Sequence, residues 1–296
     1  MKYIDPQVEY WRQTSDRAAH VARCARVCYA SDKTTDNERM VAGLEARKHM
    51  SMFRHESRYY IVNDIQKLKN KWIINFLQNK DYVGCYVMDK KVAFISTNGQ
   101  FVREHEEVFD ESFAKYEVSP DYFLLQAKAV KVKAVMMLIR HTLVVTSSIA
   151  VTRELNRTSP NAIAEQSTRY VNFGRKHGGI TICRSWFDLP MYESGMHMKH
   201  RWLKTLPLRI SWHISDWCYR LAIWLGMKPQ DARTCLPLET ASRVVYTYNG
   251  FEWKHILDLR LRQLTGPAHP DAVIAASKIS TEIQLQFAKY GINIQL

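Results

Sequence analysis

The sequence predicts an α+β fold, a central and largely antiparallel sheet flanked by helices, in a single domain spanning residues 1–296. Three observations lead there. Residues 83–88 and 92–96 are two apolar runs joined by Asp89-Lys90-Lys91, the pattern of adjacent antiparallel strands. Residues 130–145 form a second apolar stretch with β-branched residues, and residues 243–248 alternate. Helical 3-and-4 spacing occupies both ends of the chain.

Taken in order, residues 1–60 are expected to be mainly helical. One helix covers 10–29, with Ala18, Ala22, Ala25 and Cys28 on one stripe, and a second covers 38–49. Strands fill 82–103, and the acidic stretch 103–120 is expected to be a surface insertion. Residues 130–145 supply a central strand, and Ser148 is a helix-capping type that starts a helix running to about Asn156. Pro160 prevents that helix from continuing far. Residues 178–188 are a turn and a short strand. From Ile210, the spacing of Ile214, Trp217, Leu221 and Trp224 predicts a buried helix stopped by Gly226. Pro229 opens the next helix. Asn249-Gly250 turns the chain into a helix over 251–262, and a last helix covers 270–290 with Ala276, Ile279, Ile283 and Phe287 inward.

Composition narrows the function. Hydrophobic content of 46% and charged content of 24% describe an ordinary folded chain. The net charge of +13 suits nucleic acid, membrane surfaces or anionic small molecules. The basic residues are spread along the chain without a dense Lys/Arg arm, which favours phosphorylated small ligands over nucleic acid. The six cysteines include no C-x-x-C pair, and with no signal peptide this suggests reduced thiols in a cytoplasm. The most apolar window, 134–151, contains Arg140 and His141, so no membrane span is expected.

Residues 151–173 concentrate the chemistry: Arg153, Arg157 and Arg169, with Glu154 and Glu165, surround Pro160. Arg153 and Arg157 are four apart and leave one helix face. Arginine forks suit phosphates and planar heterocycle edges, so the stretch is read as an anion cradle.

The same residues resemble the signature of the flavin-dependent thymidylate synthases, or thymidylate synthase complementing proteins: R-H-R, seven residues, then S, continuing S-x-R-Y. Here these are Arg157-Thr158-Ser159, residues 160–166, Ser167, and Thr168-Arg169-Tyr170. The triplet's His and second Arg are Thr158 and Ser159. Four further segments follow the family order. His49, Ser51 and His55 match G-H-x-S-x-x-E-H, with Arg54 in place of its Glu. Residues 95–100 resemble an S-x-N-x-R segment, with Gln100 in place of the arginine. Arg233 and Pro237 match A-R-x-x-L-P. Trp253, His255, Leu259 and Arg260 match W-x-H-x-x-x-L-R, and Ala268-His269-Pro270 follows. Residues 60–130 match poorly.

The resemblance implies C5 methylation of dUMP to dTMP, with methylenetetrahydrofolate as one-carbon donor, FAD as hydride carrier and NADPH as ultimate reductant. It places Arg157, Ser167 and Arg260 in catalysis. Glu154, Arg157, Glu165, Ser167, Thr168, Arg169, Arg233 and Arg260 would hold the substrate. His49, Ser51, Arg54, Thr158, Ser159, Asn249 and His255 would face the flavin. It also implies a homotetramer with shared sites. Family chemistry uses no enzyme thiol; Cys235, two residues from Arg233, is the one cysteine near a candidate anion site. Two alternatives stay open: a hydroxymethyltransferase of the same family acting on dUMP or dCMP, and a non-catalytic paralogue that binds nucleotides or nucleic acid.

Overall fold

The chain opens with two strands, β1 (Lys2–Ile4) and β2 (Gln7–Trp11), where helix was expected. The computed structural model describes residues 1–31, 36–70, 72–158, 162–173, 178–189 and 201–294. β2 fills the edge of β7 (Arg140–Ser148), pairing Gln7 with Thr146 and Trp11 with Thr142. Val8 and Tyr10 alternate onto the main core. An open strand edge leaves backbone groups unpaired, and satisfying them outweighs a weak local helical spacing. Helix α1 (Arg17–Cys28) therefore begins only where the Asp16 carboxylate accepts from the Ala19 N–H at 2.9 Å. Its Ala22, Cys24 and Ala25 are buried. Helix α2 (Asn37–Ala46) overlaps the expected span, starting one residue before it and ending three short. A short 3-10 segment, Met50–His55, follows.

Two four-stranded antiparallel sheets, rather than one, form the framework. The first carries strands β3 (Ser57–Val62), β4 (Gly84–Met88), β5 (Val92–Asn98) and β6 (Glu117–Val118) in the order β4-β5-β3-β6. The β4–β5 hairpin is the one read from sequence. β5 stops at Asn98 because its carboxamide oxygen caps the next helix, accepting from Phe101 N–H, so 99–103 is not strand. Helices α3 (Trp72–Gln78), α4 (Gly99–Glu104), α5 (Glu111–Ala114) and α6 (Pro120–Ala127) surround this sheet. Residues 103–120 lie at the surface on one side only. Val108 and Phe113 are fully buried beneath the sheet, and Glu117 on β6 receives Arg58 through two hydrogen bonds. Glu117 belongs to an ion network in which buried Glu56 meets Arg103 at 2.8 Å and Arg58 at 3.2 Å, while Glu104, Glu106, Glu107, Asp110 and Glu111 are exposed.

The second sheet runs β2-β7-β10-β8, with β8 spanning Ile163–Glu165 and β10 Ala241–Asn249. Helix α7 (Val132–Leu138) precedes β7, so only the second half of the apolar run over 130–145 is extended. β7 is nonetheless central, and it leads into helix α8 (Ile149–Asn156). β9 (Thr181–Cys183) pairs with β1 in parallel. Helix α9 (Arg201–Trp224) ends at Gly226, whose φ of +91° is the left-handed turn expected there. Helix α10 (Pro229–Ala232) has proline in its first turn. Helix α11 (Gly250–Arg260) is held by a capping box between Asn249 and Glu252. Helix α12 (Pro270–Lys289) buries Ala276, Ile279, Ile283 and Phe287, as its spacing predicts.

One expectation fails in orientation. α9 exists, but Ile210, Ile214, Trp217 and Trp224 are exposed, Trp217 at 60% and Trp224 at 79%. At 100° per residue these lie opposite Thr205, Trp212, Asp216 and Tyr219, the positions that are buried. The inward face is anchored by polar contacts: the Asp216 carboxylate accepts from Ile180 N–H at 2.6 Å, and Tyr219 packs on Phe173.

Three buried histidines give the fold an acid limit. His20 and His55 join Gln13, Thr142 and Thr247 in a polar seam reaching from α1 to both sheets: Gln13 Nε2 donates to Thr142 Oγ1 at 2.7 Å, and His55 Nδ1 lies 2.9 Å from Thr247 Oγ1. His141 is enclosed against Phe287. Burial lowers their imidazoles from the ordinary 6.5 to about 4 for His20 and about 3 for His55 and His141. Below pH 6.5 the unfolded chain takes up protons that the folded chain refuses. Stability is thus full above 6.5 and falls as pH drops towards 4, by about 1.4 kcal/mol per pH unit for each histidine. Urea midpoints measured at pH 7.5 and pH 5 should differ markedly, with unfolding at pH 5 taking up between two and three protons by these groups. Equal midpoints would show that these rings are not neutral in the fold.

Candidate active site

The site is assembled around α8. Ser148 Oγ accepts from Val151 N–H at 3.3 Å, the cap read from the sequence. Arg157 is the C-cap, and both Arg153 and Arg157 are exposed. β8 then lays Glu165 against the helix. Its Oε1 accepts from Thr152 Oγ1 and Ser242 Oγ, each at 2.8 Å, and its Oε2 from Asn156 Nδ2 at 3.0 Å. Asn156 Oδ1 in turn accepts from Tyr246 Oη at 2.7 Å. The carboxylate thus locks α8, β8 and β10 together, which suits an orienting role.

Beyond β8 the chain crosses the end of α1, where Ser167 N–H donates to the Cys28 carbonyl at 2.9 Å and Tyr170 stacks on Tyr29. Ser167 Oγ accepts from Arg169 N–H at 3.1 Å, and Arg233 Nη1 reaches Thr168 Oγ1 at 3.3 Å. The outcome is a cleft of about 610 Å³. Glu165, Ser167, Thr168, Arg169 and Arg233 all line it, 65 residues apart in sequence at the Arg233–Thr168 contact, and Arg153 faces them from α8. Three arginines and one carboxylate leave this cleft positive, so it suits an anionic ligand.

Glu154, Arg157 and Arg260 do not line that cleft. Arg260 ends α11, its Nη2 donating to the Glu154 carbonyl at 2.8 Å and its Nη1 lying 3.8 Å from the Glu154 carboxylate. Its Nε is buried with no acceptor among the described residues. Cys235 is also absent from the lining and packs beside the Val171–Tyr219 cluster.

The residues implied for flavin are divided. His49 and Ser51 line a second cleft of about 470 Å³ with Lys48, Cys28, Tyr29 and apolar Leu44, Met50 and Met52. Apolar walls for a planar ring and a cation at the margin fit a flavin nucleotide. Burial lifts the Cys28 thiol to about 11, so it is no thiolate at neutral pH. Arg54 does not line this cleft. Its Nε donates to Gln100 Oε1 at 2.7 Å, so two of the family positions that differ here, Glu to Arg54 and Arg to Gln100, are hydrogen-bonded to each other. Thr158 Oγ1 turns back onto the Leu155 carbonyl at 2.6 Å. Ser159 lies outside the described residues. Asn249 Oδ1 is occupied as the cap of α11, and His255 is exposed on that helix; neither lines the His49 cleft.

Residues 85–284, two thirds of the chain, match the thymidylate synthase complementing protein family. The chain belongs to that family. Membership makes it a methyltransferase-like enzyme of the thymidylate synthase class. The match spans the Ser167 cleft and Arg260 and excludes the His49 segment. Two solved structures superpose along nearly the whole chain: a UMP/dUMP methylase, PolB, from Streptomyces cacaoi bound with 5-Br dUMP, at TM-score 0.45, 14% identity and 100% of both chains, and the same methylase bound with 5-Br UMP, at 0.43, 14% and 99% of both. No curated protein matches the chain. Among the described residues no cluster of His, Cys, Asp and Glu could hold a metal ion, and no helix is long and apolar enough to cross a membrane.

Sequence reasoning missed Thr152, Asn156, Ser242 and Tyr246 as supports of Glu165. Thr152 and Asn156, four apart and polar on the inward side of α8, were the available signal.

Proposed function

We propose that the chain methylates dUMP at C5 to give dTMP, taking its one-carbon unit from methylenetetrahydrofolate, with FAD as hydride carrier and NADPH as reductant. The observation that carries this reading is the convergence of Glu165, Ser167, Thr168, Arg169 and Arg233 on one positive cleft in a chain of this family. Arg169 and Arg233, with Arg153, neutralise the nucleotide phosphate by fork-like hydrogen bonds. The Ser167 hydroxyl and Thr168 align the pyrimidine, and Glu165 keeps that wall rigid. Arg157 and Arg260 lie outside this cleft within one subunit; in the shared site of the assembly they supply positive charge where electron density builds on the ring, Arg260 being oriented by Glu154. His49, Ser51 and Lys48 hold the flavin nucleotide. When bound, the flavin supplies the hydride that completes the methyl group.

We infer further that residues 1–296 act as one domain, as a cytoplasmic homotetramer with sites shared between subunits. Support comes from the apolar stripe exposed on α9, and from Asn249 and His255, which lie apart from the His49 cleft within one subunit. Purified enzyme should show flavin absorbance and should release tritium from dUMP labelled at C5 when supplied with the donor and NADPH. Absence of both signals overturns the reading.

A second product has its own support. Arg54 bonded to Gln100 and Thr158 folded onto Leu155 alter the flavin side alone, which favours a hydroxymethyl product on dUMP or dCMP formed without the hydride. Product mass separates the two, since that product carries one oxygen more.

A further inference from the structure

A third cleft, of about 530 Å³, adjoins the nucleotide cleft and is claimed by none of the roles above. Its wall includes Trp11, Arg23, Arg26, Gln166 and Arg243. Gln166 lines this cleft and the nucleotide cleft alike, so the two meet at one residue immediately before Ser167. The arginines are arranged around Trp11: the Arg23 guanidinium lies 3.7 Å from the indole centroid and that of Arg243 5.5 Å. Both converge on a single carboxylate of their own chain, Glu9, which meets Arg23 at 3.5 Å and Arg243 at 3.2 Å. The Trp11 indole N–H is buried and has no acceptor among the described residues.

The geometry points to a second anion subsite here, one that takes the anionic tail of a ligand seated in, or against the occupant of, the nucleotide cleft. Glu9 shows the fit, since its exposed carboxylate already bridges two guanidiniums as a ligand oxyanion would. Arg23 and Arg243 against that one carboxylate leave this corner of the cleft net positive. Guanidiniums stacked on an indole are held in place while their in-plane donors stay available, so binding an oxyanion costs little side-chain ordering. Two tails share this chemistry: the glutamate carboxylates of the folate donor, and the β- and γ-phosphates of a uridine nucleotide longer than a monophosphate. The inference rests on the nucleotide reading of the adjoining cleft.

Calorimetry in low salt distinguishes the sources and separates this inference from that reading. In one arm pteroic acid, folic acid and pteroyl-triglutamate are titrated into the enzyme with dUMP present. In the other dUMP, dUDP and dUTP are titrated alone. In one arm the longest tail should bind about ten-fold more tightly than the tail-less parent. Arg23→Ala and Arg243→Ala should each abolish that gain and leave the parent's affinity unchanged. Glu9→Gln, which removes the competing carboxylate, should enlarge the gain several-fold, an outcome that misfolding cannot imitate. A parent that binds with no tail-dependent gain, or a gain that survives both arginine variants, overturns the subsite and leaves the nucleotide reading intact. Failure of dUMP itself to bind overturns both.

Discussion

Arg260→Ala should lower turnover by a hundred-fold or more while weakening dUMP binding far less. The side chain is already fixed in the free enzyme: Nη2 donates to the Glu154 carbonyl at 2.8 Å and Nη1 lies 3.8 Å from its carboxylate. Its Nε is buried and lacks an acceptor among the described residues, so the guanidinium charge is only partly satisfied within the fold. A charge held in advance needs no reorganisation when electron density develops on a bound ring, and removing such a donor is worth on the order of 3 kcal/mol in the transition state. The interaction is stronger there than in the ground state, which is why affinity changes less than rate. The rival account treats Arg260 as a strut between α11 and α8, favourably placed at a helix C-terminus. It predicts about 1 kcal/mol of stability lost and nearly normal turnover. Rate, dUMP affinity and melting temperature measured together on Arg260→Ala decide between them. Arg260→Lys keeps the charge but not the fork, so it should recover only part of the rate.

The double variant Ile214→Glu with Trp217→Glu should convert the proposed tetramer to smaller species and abolish most activity. On α9 the positions Leu203, Leu206, Ile210, Ile214, Trp217, Leu221 and Trp224 follow steps of three and four, a continuous seam along the outer face. Six of the seven are exposed. Together with Trp202, Leu225 and Met227 they present roughly 1,000 Å² of apolar surface, above the ~800 Å² per partner of a standard interface. Soluble single chains rarely leave so large a patch open. Two carboxylates in its middle would be stripped of water on association with no cation opposite, costing several kcal/mol per interface. Light scattering and turnover measured side by side test this. A wild-type enzyme that is monomeric and active removes both the interface and the shared sites, whereas a dissociated variant with full activity removes only the shared sites.

Local signals carried much of the fold. Ser148 caps α8, Pro229 opens α10, Gly226 ends α9, and α12 buries the four residues its spacing selects, because each depends on neighbours within about one helical turn. The residue motifs likewise placed five of the substrate-side positions in what proves to be one cleft. Other features depend on partners distant in sequence. β2 is a strand because β7, some 135 residues later, offers an edge; the same residues read alone look helical. Val108 and Phe113 of the acidic stretch are core because the β4-β5-β3-β6 sheet covers them, and Glu117 is held by Arg58 of β3.

What the sequence by itself determined is therefore the β4–β5 hairpin, the existence of helices α8 to α12 with their end signals, and the chemistry concentrated between Arg153 and Arg169. Only the tertiary structure decided which faces are covered and which side chains meet. It turned the apolar stripe of α9 outward by seating Trp212 and Tyr219, set Arg54 against Gln100, and gave Glu165 its three donors. Spacing along a chain reports that a stripe is apolar, but burial and hydrogen bonding are properties of pairs, and here the partners stand up to 234 residues apart.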